Sequence, residues 1–197
     1  MRNRSNLAHI PRRLARRRSA AERSRAGFTL IELMVTVAVL AILAAIAIPS
    51  MSQLIVRSRM DATLHEFVSA INMARSEAVR RATRVTLCRA TGPTTCGGAG
   101  TTWASGWIVF VDDLATAGLI DAGEEIIKSR SAWVGMDSVI TSASVSGSIS
   151  YTSNGQLENA FNLGQIAFTP KGGAASDMRY VCINRTGRPR VDELPCS

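Results

Sequence analysis

Cys88, Cys96, Cys182 and Cys196 are the residues whose type and spacing most readily do chemistry in this 197-residue chain. Four cysteines can hold zinc or pair as disulfides. No C-x-x-C pair occurs and no histidine follows His65, so the spacing of a zinc site is missing. Disulfides are the chemistry expected if this part of the chain lies in an oxidising compartment. Three pairings are possible. Proximity favours Cys88–Cys96 and Cys182–Cys196, the longer loop being worth about 3 kcal/mol on a chain-entropy argument. The acids between Asp112 and Glu125 raise calcium as a second possibility. Counted from Asp113, Gly118 and Glu124 fall where a calcium loop needs its glycine and its last acid, but Ala115 and Ala117 occupy two ligand positions. These acids therefore read as a polar hairpin connection, with no metal. A Ser or Cys nucleophile would lack a histidine base, and neither a Gly-x-Ser-x-Gly elbow nor a phosphate-binding glycine loop is present. No catalytic residue and no cofactor are expected: the chain does not read as an enzyme.

Arginines form the remaining chemical feature. Arg179, Arg185, Arg188 and Arg190 lie close together near the C-terminus, and a Cys182–Cys196 bond would hold the last three on a closed loop. Guanidinium forks on a closed loop suit phosphate oxygens, because each fork donates two parallel hydrogen bonds. Asp192 and Glu193 follow at once, so the competing reading is a solvated turn whose arginines pair with its own acids. The net charge of +8 does not decide between them. Residues 1–27 carry arginines at 2, 4, 12, 13, 16, 17, 18, 23 and 25 against Glu22, and the rest of the chain is net neutral. The basic pI belongs to the leader.

The elements that position these groups begin at Phe28. From Phe28 to Ile48 the chain is apolar apart from Glu32 and holds no Gly or Pro, enough helix to span the roughly 30 Å core of a bilayer. Arginines crowd only the upstream side, which places the leader in the cytoplasm and the body on the far side of the membrane. An ordinary secretory signal would carry its small residues after the apolar run, whereas Ala26-Gly27 precede it. Glu32 is the informative residue. A carboxylate that deep in lipid costs a few kcal/mol and needs a partner.

The string Gly27-Phe28-Thr29-Leu30-Ile31-Glu32, followed by an apolar helix with Pro49 at its far end, resembles the type IV prepilin cleavage motif. That resemblance implies a prepilin peptidase that cuts after Gly27 and methylates Phe28. It also implies that Glu32 pairs with the N-terminal amine of a neighbouring subunit in a filament. The physics agrees, because such an ion pair in lipid is satisfied only when subunits stack.

Beyond Pro49, Leu64, Phe67, Val68, Ile71, Ala74 and Ala78 keep the spacing of an amphipathic helix, and Arg57, Asp61 and His65, like Glu77 and Arg81, step by four on other faces. One helix from Phe28 to about Thr83 is predicted, with its membrane half at 28–48 and its amphipathic half at 49–83; His65 reads as solvated. From Arg84 short β-type runs take over: Arg84–Cys88, Trp107–Val111, Glu125–Arg130, Val139–Val145, Ser148–Thr152, Gln165–Thr169, Met178–Ile183 and Arg188–Val191. Residues 84–197 are thus predicted to form a small periplasmic β domain ending in the basic loop.

Leu87-Cys88, the W-x-x-G-W-x-V-F-x-D string from Trp103 to Asp112, and Gly123-Glu124-Glu125-Ile126-Ile127 resemble the GspH/FimT family of minor pilins and pseudopilins. The resemblance implies an α+β fold, a long N-terminal helix packed on two antiparallel β-sheets, in which Trp103, Trp107 and Phe110 are packing residues. It implies a structural subunit of a type IV pilus whose partners are the prepilin peptidase, other pilins and the inner membrane. Gly187-Arg188-Pro189-Arg190 resembles the G-R-x-R motif with which FimT-type minor pilins bind DNA, adding DNA as a partner. Two alternatives stand beside this: a minor pseudopilin of a type II secretion system, and a membrane-anchored periplasmic binding domain outside any filament.

Overall fold

The computed structural model describes residues 27–97, 102–113, 116–141, 147–158, 164–184 and 186–196. The leader up to position 26, Arg185 and the last positions of the expected strand Val139–Val145 lie outside the described residues. The chain divides into two units, Met1–Leu43 and Ala44–Ser197. Helix α1, Leu30–Arg81, has residues in both. In the first unit every described residue is exposed, including Leu33, Val37, Leu40 and Leu43. A helix segment that is apolar and exposed all round is suited to lipid, and α1 is long and apolar enough to cross a membrane. It runs through Pro49, which has no amide hydrogen to give the Ala45 carbonyl.

In the second unit one stripe of α1 is buried: Met60, Leu64, Phe67, Ala70, Ile71, Ala74 and Ala78. The helix stops in a Schellman arrangement. Thr83 N–H donates to the Ala78 carbonyl at 3.2 Å and Ala82 N–H to the Val79 carbonyl at 3.4 Å. This closure needs a left-handed residue, and Ala82 takes that role at φ 53° where glycine is usual. Glu77 accepts hydrogen bonds from Arg80 and, at 2.8 Å, from Arg81. Arg81 also grips Glu125 with both terminal nitrogens, at 2.6 and 2.9 Å, tying the helix end to the segment before β3. These two arginines hold the Glu77 carboxyl down to about 2.

Eight strands follow: β1 Val85–Arg89, β2 Gly106–Val111, β3 Ile126–Ser131, β4 Met136–Thr141, β5 Ser148–Tyr151, β6 Gly164–Pro170, β7 Arg179–Ile183 and β8 Pro189–Asp192. They form two antiparallel four-stranded sheets, ordered β3-β2-β1-β5 and β4-β6-β7-β8. Residues at period two supply one inner face on each sheet: Val85, Leu87, Trp107, Val109, Ile149 and Tyr151 on the first, Met136, Val139, Ile166, Phe168, Val181 and Ile183 on the second. Both inner faces share one core with the α1 stripe. Phe67 is its centre, meeting Trp103, Trp133 and Phe168 edge-on with ring centroids 5.5, 5.9 and 5.4 Å away. The outer face of the first sheet is buried as well, where Cys88, Ala90, Ile108 and Phe110 pack against Cys96, Ile120 and Ile126. That second burial explains why β1 and β2 are buried at every position and why β2 reads as a continuous apolar run rather than an alternating one.

Two substitutions should move stability in opposite directions. Phe67→Ala removes the hub of the core and should cost about 3–5 kcal/mol. Ala82→Gly relieves the left-handed backbone and should add about 1 kcal/mol. Thermal unfolding of the full chain in detergent, followed by circular dichroism, measures both.

Candidate functional site

At the N-terminal end, Thr29 caps α1. Its hydroxyl oxygen accepts the Glu32 N–H at 3.2 Å and its carbonyl accepts the Leu33 N–H at 3.2 Å. Thr29-x-x-Glu32 is the pattern of a capping box, and Phe28 and Leu33 occupy the two positions of a hydrophobic staple. Glu32 thus lies in the first turn, where a negative charge opposes the helix dipole favourably. Phe28 is 83% exposed. Among the described residues a side chain at Gly27 would meet nothing within 4 Å, and its backbone is not left-handed. This chain's own fold therefore gives no reason for a glycine at 27.

Both proximal cysteine pairs are bonded, Cys88 to Cys96 and Cys182 to Cys196. The second bond fastens the C-terminal segment to β7, and Cys196 N–H donates to the side-chain oxygen of Gln165 on neighbouring β6 at 2.9 Å. Among the described residues, no group of three or more His, Cys, Asp or Glu side chains is arranged to hold a metal ion.

The acids of 112–125 have positive structural work. Asp112, the last residue of the W-x-x-G-W-x-V-F-x-D string, is fully buried. It accepts hydrogen bonds from the Thr86 hydroxyl at 2.6 Å, the Arg84 guanidinium at 2.8 Å and the Gly118 amide at 2.9 Å. Partial burial opposes the charge of Arg84, yet its bonds to Asp112 and Glu158 carry its pKa upward. Asp121 accepts the Thr116 amide and Glu124 accepts the Asp121 amide, so both fasten a turn. Trp103 and Trp107 are wholly buried, as core residues. His65 is exposed.

Of the arginines that lie close in sequence, Arg179, Arg188 and Arg190 are spread along the β7–β8 hairpin. Ile183 faces Pro189 at the turn, and Tyr180 faces Asp192 near the open end. Arg179 is therefore about 13 Å of strand away from Ile183. It pairs with Glu193 at 3.3 Å and donates to the carbonyls of Ser176 and Met178. Arg190 pairs with Asp192 at 2.8 Å. Arg188, at the turn, is exposed and has no ion-pair partner among the described residues. The turn is built by Asn184, whose side-chain oxygen accepts the Arg188 amide and the Thr186 hydroxyl, each at 2.8 Å. Gly187 donates to the Asn184 carbonyl at 2.8 Å and sits at φ +77°, where L side chains are strained. Its carbonyl accepts the Tyr151 hydroxyl at 2.7 Å, and a Cβ at Gly187 would come within 2.5 Å of the Tyr151 ring. Burial pushes the Tyr151 phenol well above its ordinary pKa, so it remains a donor. Asn184 and Gly187 are turn residues visible in sequence; Tyr151 carries no local signal of its role.

The comparisons with known proteins bear on this arrangement. The family model described as Type II transport protein GspH matches residues 63–187, and the prokaryotic N-terminal methylation motif matches residues 23–48. The chain belongs to the GspH family. Two crystal structures of the type IV minor pilin FimU of Pseudomonas aeruginosa strain PAO1, in space groups P21 and P65, share its fold. Their TM-scores are 0.53 and 0.51 at 17% identity, covering 72% and 70% of this chain and 95% and 97% of theirs. No curated protein matches. The chain is thus a minor pilin- or pseudopilin-like subunit of the type IV pilus and type II secretion class, a structural family rather than an enzyme family.

Asp112 should prove a stability residue. Asp112→Ala leaves Arg84, Thr86 and the Gly118 amide without their shared acceptor and should cost about 2–4 kcal/mol in thermal unfolding. Asp112→Asn, which keeps the shape and one acceptor oxygen, should cost less.

Proposed function

We propose that this chain is a minor subunit of a type IV pilus that contacts DNA through its C-terminal hairpin. In this reading residues 1–27 form a cytoplasmic leader that the prepilin peptidase removes, and Phe28 becomes the methylated N-terminus. Residues 28–48 span the inner membrane, 49–83 carry the stripe on which the domain packs, and 84–197 stand in the periplasm until assembly. Gly27 supports the processing step: the described fold does not need a glycine there, whereas a peptidase that cuts beside it does. Glu32 would leave the membrane interior as half of an ion pair, taking a neighbouring subunit's N-terminal amine as its partner.

The observation that carries DNA contact is the Gly187-Arg188-Pro189-Arg190 turn, with Arg188 exposed and without an ion-pair partner among the described residues. Arg190, although paired to Asp192, is 57% exposed and can exchange that carboxylate for a phosphate oxygen. Arg179 is left out of this reading, because its guanidinium pairs with Glu193 and donates to two carbonyls at the other end of the hairpin. A type II secretion pseudopilin is the second reading. It is favoured by the GspH family match and by the acids that neutralise Arg179 and Arg190.

DNA titration of the processed chain in detergent micelles separates the two. Two or three phosphates neutralised should give a log-log salt slope of roughly −2 to −3 with little sequence preference. Arg188→Ala should flatten the slope by about one unit and weaken all sequences alike, with unfolding unchanged. No binding at low salt, or equal binding by wild type and an Arg188→Ala/Arg190→Ala double variant, would remove DNA and leave the secretion role.

A further inference from the structure

We infer that Tyr151 is the positioning residue of the arginine turn: it holds Gly187, and with it Arg188, in the orientation that meets a phosphate backbone. This rests on the DNA reading above. The geometry is specific. Tyr151 ends β5, in the first sheet, while Arg188 lies in a turn of the second. The Tyr151 side chain is the link between them: its ring underlies Gly187 and its hydroxyl donates to the Gly187 carbonyl at 2.7 Å. Gly187 is buried although its neighbours Thr186 and Arg188 are exposed, so the turn is anchored at one residue with its polar groups left outward.

Asn184 supplies the second restraint. Its side-chain oxygen takes the Arg188 amide directly, which fixes the backbone from which the guanidinium projects. At the other end of the loop, Cys182–Cys196 closes the hairpin. A four-bond arginine side chain is flexible, but its root is then fixed on three sides. Fixing the root removes ordering that would otherwise oppose each encounter. The anchor also explains the glycine of the G-R-x-R string. With a Tyr151 ring carbon 2.5 Å from where a Cβ would sit, only glycine allows the ring to approach. Tyr151 touches no ligand itself. Its contribution passes entirely through the turn.

The test is Tyr151→Phe in the full processed chain in detergent micelles, beside wild type and Arg188→Ala, with duplex DNA as the probe. Phe retains the ring under Gly187 and removes only the donated hydrogen bond. Two readouts are taken: amide hydrogen exchange at Gly187 and Arg188, and DNA affinity against salt. The inference expects faster exchange at both amides and three- to tenfold weaker binding at an unchanged salt slope, since the cations are all still present. Arg188→Ala, by contrast, should change the slope. A purely structural role for Tyr151 would move thermal unfolding and leave affinity alone. Unchanged affinity in Tyr151→Phe, with or without faster exchange, while Arg188→Ala still loses binding, would overturn the inference and leave DNA contact standing. Absence of DNA binding by wild type would bring down both.

Discussion

One apolar stripe, from Met60 to Ala78 on α1, is the surface on which the whole domain is built. Each β-sheet has four strands and one inner face directed at that stripe. Each inner face is buried in the one core that the stripe completes, because a sheet with one apolar face needs a covering layer. The chain enforces this dependence through its order. It lays β1, β2 and β3 into the first sheet, places β4 in the second, returns for β5, and finishes the second with β6, β7 and β8. The β5 excursion brings Tyr151 beneath the turn between β7 and β8. Phe67, edge-on to Trp103, Trp133 and Phe168, is where helix and sheet layers meet in one aromatic cluster.

The same helix carries two kinds of surface. Its residues up to Ile48 are apolar and exposed throughout, and its later residues are apolar only toward the sheets. The transition is graded, for Met51, Leu54 and Ile55 remain exposed before the buried stripe begins at Met60. Charged side chains then take up the solvent face, and at the helix end Glu77, Arg81 and Glu125 lock it to the first sheet. Glu32 stands apart from this order, an acid in an apolar segment. Helix capping by Thr29 and a favourable dipole explain why the position tolerates a carboxylate; they do not remove the cost of carrying it into lipid.

Much of this was legible in sequence because it is local. The spacing of Leu64, Phe67, Ile71, Ala74 and Ala78 marks the helix, and the expected strands correspond to the eight observed, with ends shifted by a residue or so except at β4, which starts three positions before Val139. Short cysteine separations pointed to the bonded pairs. What sequence did not disclose is tertiary. Arg179 and Arg188 lie near one another in the chain, but antiparallel pairing sets them at opposite ends of a hairpin. Asp112 looked like a member of a solvated acidic run and proves a buried acceptor shared by Thr86, Arg84 and Gly118. Tyr151 looked like an ordinary strand residue, because its partner lies 36 positions downstream.

A helix whose first part is suited to lipid carries, on its later part, a domain packed against one stripe, and the role proposed for the whole is that of a filament subunit. Mass spectrometry of sheared filaments from cells making wild type or Glu32→Ala tests it most directly. Wild type is expected in the filament fraction as a chain beginning at N-methylated Phe28, and Glu32→Ala is expected to be processed identically but retained in the inner membrane. Filament-borne protein still starting at Met1, or Glu32→Ala incorporated as well as wild type, would contradict it.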